Sequence, residues 1–162
     1  MLLSNKMTII FYFSILLFSC SNTSGEITDS TEKPNKNDAK IVSVTTSGNE
    51  NNYSFNVGIS SPDKGCSQYA NWWEITTETG ELIYRRILGH SHVNEQPFIR
   101  SGGGIKINKD QVVIIRMHMN NTGYSENAFK GSVSQDFNSF KTANDFAKAI
   151  ENQSPQPTGC AF

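Results

Sequence analysis

The chain has 162 residues, 36% of them hydrophobic and 18% charged, with 14 Lys and Arg against 15 Asp and Glu for a formal net charge of -1. That length suits one domain around a single core once any leader is removed. A nearly neutral balance without a basic run argues against nucleic acid as a partner.

Met1-Leu2-Leu3-Ser4-Asn5-Lys6 precedes an apolar run over 7–18, followed by Ser19-Cys20. One cation, a short apolar core and a small residue before a cleavage point form a secretory signal over 1–19, too short to span a bilayer comfortably as a permanent helix. Leu17-Phe18-Ser19-Cys20 resembles the lipobox of bacterial lipoproteins. The resemblance implies that Cys20 is lipidated through its sulfur and becomes the mature N-terminus. The chain would then sit in the bacterial cell envelope, anchored to a membrane and facing periplasm or cell surface, each buried methylene contributing about 0.8 kcal/mol. Losing the signal removes only Lys6 among charged residues, so the net charge moves from -1 to -2. Residues 20–38, rich in Ser, Asn, Thr, Glu, Lys and Asp, bury too little apolar surface to fold and read as the anchor and its tether. The domain then runs over 39–162.

Three cysteines is an odd count for a secreted chain. Assigning Cys20 to lipid leaves Cys66 and Cys160, a pair expected to bridge in an oxidising compartment. Closing a loop of about 95 residues is worth on the order of 4 kcal/mol in the chain-entropy model. A metal pair is disfavoured, because the two show no short ligand spacing.

From residue 40 the pattern has period two. The stretch 40–46 alternates through Ile41, Ser43 and Val44, and Ser47-Gly48-Asn49-Glu50-Asn51-Asn52 turns it. Tyr53, Phe55, Val57 and Ile59 share one face of the next strand, which Ser61-Pro62-Asp63-Lys64-Gly65 ends. Over 68–76, Tyr69, Trp73 and Ile75 take one face and Trp72 and Glu74 the other; Glu78-Thr79-Gly80 then turns into a strand over 81–88. Residues 97–107 make a weaker strand, with Gly102-Gly103-Gly104 marking a bulge or bend. In 111–119, Val113, Ile115, Met117 and Met119 oppose Arg116 and His118, and 128–133 is the last strand. Phe140, Ala143, Ala147 and Ile150 recur at helical spacing, and Thr142 with Asp145 imitates a capping box, predicting a short helix over 142–151 that lies on the sheets.

About seven short strands with one C-terminal helix define an all-β fold, an antiparallel sandwich. With a tryptophan on the third strand, the stretch 40–135 resembles immunoglobulin-like and fibronectin type III domains, but it lacks the cysteines that flank that strand in antibody domains. In such a sandwich the third and sixth strands are neighbours. The resemblance therefore implies that Trp72, Glu74, Arg116 and His118 lie side by side on an outward face, extended from the fourth strand by Arg85 or Arg86 and by His90. Trp and Arg are enriched at binding hot spots, so this face is the first candidate surface, with an envelope protein or glycan as partner. The bland alternative is a cross-strand salt bridge on a solvated face.

His90, His92 and His118 form the second candidate, a copper or zinc site. Met117 and Met119 point away from His118 on an extended strand and cannot join it. The three histidines meet only if the loop after the fourth strand folds across the sixth. An envelope hydrolase is the third reading, and no free cysteine or G-x-S-x-G elbow supports it. The run from Trp72-Trp73-Glu74 through His90-Ser91-His92-Val93-Asn94-Glu95-Gln96-Pro97-Phe98 to Arg100-Ser101-Gly102-Gly103 is similar to uncharacterised bacterial secreted proteins over about 66–133. That similarity implies that these polar residues act together, and no activity.

Overall fold

The computed structural model describes Asn35 and residues 38–161; the signal, Cys20 and almost all of the tether lie outside them. The described residues form nine strands and one short 3-10 helix. The strands are β1 (Lys40–Asn49), β2 (Asn52–Ser60), β3 (Ala70–Thr77), β4 (Leu82–Ile87), β5 (Phe98–Ile105), β6 (Val113–Met119), β7 (Gly123–Tyr124), β8 (Asn127–Ser132) and β9 (Asp136–Lys141). One sheet has the order β1-β2-β5; the other runs β4-β3-β6-β8-β9, with β7 also paired to β6. Every pairing is antiparallel. The β1–β2 hairpin takes β5 as its third strand, while β3 and β6 lie together at the centre of the other sheet, the arrangement expected of an immunoglobulin-like sandwich.

Alternation explains the core. Phe55, Val57 and Ile59 of β2, Trp73 and Ile75 of β3, and Val113, Ile115 and Met117 of β6 are all fully buried between the sheets. Burying each such side chain contributes roughly 1.5–3 kcal/mol. A bulge lies where Ala70 pairs with Met119 but Trp72 pairs with His118. The extra residue on β3 turns Ala70 toward the core, so Tyr69, although buried, lies outside the cluster between the sheets.

The triple glycine is a bulge on an edge strand, as its composition predicts. Tyr53 pairs with Ile105 and Phe55 with Gly102, which leaves one extra residue on β5. A Cβ at Gly102 would lie 2.6 Å from the Tyr84 ring, so only glycine lets Tyr84 of β4 cross onto β5. That ring also packs on Trp73, with centroids 5.5 Å apart.

Three elements differ from the sequence expectation. The two-residue β7 pairs with β6 where no strand is expected between 119 and 128. Strand β9 was not foreseen, because its apolar residues, Phe137 and Phe140, are three apart and do not alternate. The helix expected over 142–151 shrinks to a 3-10 turn at Lys148–Asn152. Ala147 has φ 48°, a left-handed backbone that ends any helix entering from Thr142.

Candidate functional site

Register builds a charged cluster on the far side of the second sheet. Glu74 lies opposite Arg85 on β4 and opposite Arg116 on β6. Nε of Arg85 donates to Oε2 of Glu74 at 2.7 Å, and Nε of Arg116 to Oε1 at 2.8 Å. All three side chains are buried. One carboxylate cannot balance two guanidiniums in a low-dielectric site, and a buried charge without partners costs several kcal/mol.

The C-terminal segment supplies the remaining partners. Terminal nitrogens of Arg85 donate to the carbonyls of Ile150 at 2.7 Å, Gln153 at 2.5 Å and Pro155 at 3.1 Å. Those of Arg116 donate to the carbonyls of Phe146 at 2.5 Å and Ala147 at 2.9 Å. Aromatic faces complete the shell: Arg116 sits 3.5 Å over the Tyr124 ring and Arg85 4.5 Å over Trp72. Burial, reinforced by the Glu74 charge, holds the Tyr124 phenol above its ordinary pKa, so it stays protonated.

His118 stacks flat on Trp72, centroids 3.7 Å apart at 7°. Its Nδ1 lies 2.7 Å from the amide oxygen of Asn71, and its Nε2 lies 3.1 Å from Glu151. Burial, aided by Arg85 and Arg116, lowers the His118 pKa from 6.5 to about 4 against the opposing pull of Glu151. The Glu151 contact is therefore a hydrogen bond from a neutral imidazole at neutral pH, not an ion pair. With its proton on Nε2, Nδ1 needs a donor, which Asn71 provides when its amide is turned to present Nδ2.

The structure thus brings Trp72, Glu74, Arg116 and His118 together, and corrects their setting. The face is neither a solvated sheet nor an open binding surface, because residues 146–155 lie across it and all four side chains are buried. Arg86 does not join them. It pairs in register with Trp73, is exposed, and donates to the Ser101 carbonyl at 3.1 Å. Asn71, Tyr124 and Glu151 are members that sequence reasoning missed; the segment expected to lie on the sheets over 142–151 is the cover, but as irregular chain whose carbonyls accept from the arginines over this face and not as the expected helix.

The histidines do not converge. His118 contacts Trp72, Tyr124, Asn71 and Glu151, whereas His90 and His92 lie beside each other on the 88–97 loop, centroids 4.4 Å apart. Among the described residues no group of three or more His, Cys, Asp or Glu is placed to hold a metal ion. The expected three-histidine copper or zinc site is therefore not assembled, because His118 is held beneath the C-terminal segment.

The 88–97 loop is braced from beneath. Asp63 accepts from the His92 amide at 2.8 Å, the Ala70 amide at 3.0 Å and the Ser61 hydroxyl at 2.7 Å. Gln96 bonds both Ser61 and the His92 carbonyl, and the Ser91 hydroxyl accepts from the Gly65 amide. His92 stacks on Phe98 at 3.9 Å and is 2% exposed, and neither of its ring nitrogens has a hydrogen-bond partner. Burial and then the charges of Arg100 and His90 lower its pKa below 6.5, so the ring is neutral. Above it, residues His90, Ser91, His92, Val93, Asn94, Glu95 and Ala161 line an open hollow. The Cys66–Cys160 disulfide is formed, and next to it the Ala161 amide donates to the Gly89 carbonyl at 2.7 Å.

No protein-family profile and no solved structure matches the chain. A protein of Halomicrobium mukohataei named "Putative lipoprotein" is 33% identical over 92 residues, which cover 56% of this chain and 45% of that protein. The match spans less than half the length of this relative. No helix among the described residues is long and apolar enough to cross a membrane.

Proposed function

We propose that the chain is an envelope lipoprotein, anchored through Cys20, that holds its sandwich off a membrane as a binding module. The observation that carries this reading is the relative named a lipoprotein, taken with the lipobox-like Leu17-Phe18-Ser19-Cys20 and the polar stretch behind it. The formed Cys66–Cys160 bridge fits an oxidising compartment. The sheet face is covered, so the binding surface moves to the loop end of the sandwich. There the hollow at His90 and Glu95 is lined also by exposed Val93, 47% accessible, and loops are where a rigid scaffold presents contacts. The partner is an envelope protein or a glycan.

Mass spectrometry and membrane fractionation of the full chain test the anchor. Expected are a mature N-terminus at Cys20 with an acyl mass increment, and release into the soluble fraction on Cys20→Ser. Identical mass and fractionation in that variant would remove the lipoprotein reading.

A further inference from the structure

His92 breaks the pattern of its surroundings. Every other polar group in the hub beneath it is bonded: Asp63 accepts three donors, Gln96 uses both ends of its amide, and Ser61 and Ser91 are engaged. The His92 ring alone in this hub is buried with two unmade hydrogen bonds, its Nδ1 3.8 Å from Oδ2 of Asp63, beyond hydrogen-bond reach. For packing against Phe98 an apolar ring would serve better, because it carries no polar atoms to desolvate. An orphaned buried group in an otherwise satisfied network requires an explanation, and a bound ion is one.

We propose that His90 and His92 bind one divalent transition cation, Cu2+ or Zn2+, in the hollow at the loop end, with water completing the coordination. This rests on the loop end being the binding surface. Imidazole nitrogens favour copper and zinc over the hard cations, which require oxygen ligands. The nearby carboxylates are committed, Glu95 to Arg100 at 2.7 Å and Asp63 to its three donors. Alternate residues put both rings on one side of the loop, 4.4 Å apart, His92 fixed by Phe98 and His90 exposed. The His92 nitrogens are closed to water, so the ion enters as the exposed His90 ring turns out. The backbone beneath is preset, since His90 forms a parallel bridge with Ala161, next to the disulfide. His118 has no part in this site.

Titrating the purified full chain with Cu2+, followed by visible absorption and electron paramagnetic resonance, tests the assignment. One equivalent should bind with the coupling signature of imidazole nitrogens. His90→Ala and His92→Phe should each weaken binding at least tenfold. His92→Phe should also keep or raise the thermal midpoint, which shows that lost binding is not lost folding, and His90→Ala reads the site independently because His90 is exposed. Binding unchanged in either variant, a spectrum without imidazole nitrogen, or no bound copper would overturn the proposal. Absent copper with Cys20-dependent fractionation intact overturns the cation alone, whereas loss of that dependence overturns the anchor alone.

Discussion

Glu74→Gln is the sharpest perturbation of the buried cluster. The amide keeps the volume and one acceptor, so packing around the position is conserved. What changes is that two guanidiniums, both buried, lose the one carboxylate they share. One of the bonds at 2.7 and 2.8 Å becomes a bond to a neutral oxygen, and the other sets an arginine N–H against an amide N–H. Charge-assisted bonds of this kind are worth about 1.5–3 kcal/mol each, and breaking a buried pair by removing one partner costs about 3–5 kcal/mol. The expected loss is therefore about 4 kcal/mol in urea unfolding at neutral pH. Hydrogen exchange supplies the second readout: amides over 146–154 should lose protection first, because the arginines that hold the carbonyls of this segment are no longer positioned by Glu74. A loss below about 1 kcal/mol, with protection of 146–154 unchanged, would refute the idea that this carboxylate organises the covering segment.

The His118 pKa of about 4, against about 6.5 in the unfolded chain, makes stability pH-dependent in one direction. The neutral imidazole is favoured in the fold, so its contribution is complete above pH 6.5 and lost as pH falls toward 4, by about 3 kcal/mol in all. NMR titration of the His118 ring checks it, and a midpoint above 6.5 would show the ring charged between Asn71 and Glu151 instead. Gly102→Ala drives a methyl into the Tyr84 ring, whose nearest atom would be 2.6 Å away; overpacking of this kind costs about 1–3 kcal/mol, and an unchanged thermal midpoint would mean that Tyr84 does not seal the sheets there. Opening the Cys66–Cys160 bridge by Cys160→Ser should cost about 4 kcal/mol for its 94-residue separation, and two titratable thiols in the native protein would show that the bridge does not form.

The sequence pattern made the sandwich legible because period two is a strong code where one face is buried. Tyr53, Phe55, Val57 and Ile59 could point only one way, and they do. The same rule, with β3 beside β6, foretold that Trp72, Glu74, Arg116 and His118 would be neighbours. Helical spacing also placed 142–151 on the sheets, but not over this face and not as an irregular segment. Residues 146–155 hold the arginines through backbone carbonyls, which every residue possesses, so no side-chain pattern names the face they cover. The sequence leaves the fourth-strand arginine open between Arg85 and Arg86 for a related reason. The register of β3 with β4 shifts between Ile75 and Thr76, and a shift of one residue exchanges the inward and outward arginine. One signal was available: Cys160, bridged to Cys66 across a separation of 94 residues, requires the segment before it to return across some face.

That bridge has a consequence for both ends of the molecule. The 3-10 helix of the covering segment has no buried residue, so hydrophobic burial alone does not hold it down. Arginine–carbonyl bonds, the His118–Glu151 contact and the disulfide do. At its far end the same bridge seats Ala161 against Gly89 and His90. The charge cluster and the two-histidine hollow are thus coupled through one short piece of backbone, residues 156–161. Loosening the cover by Glu74→Gln while the disulfide is intact should leave the hollow's backbone in place, whereas cutting the disulfide should disturb the hollow even though Glu74, Arg85 and Arg116 are untouched. The cover is a polar clamp, and the bridge is what makes its end useful to the loop beside it.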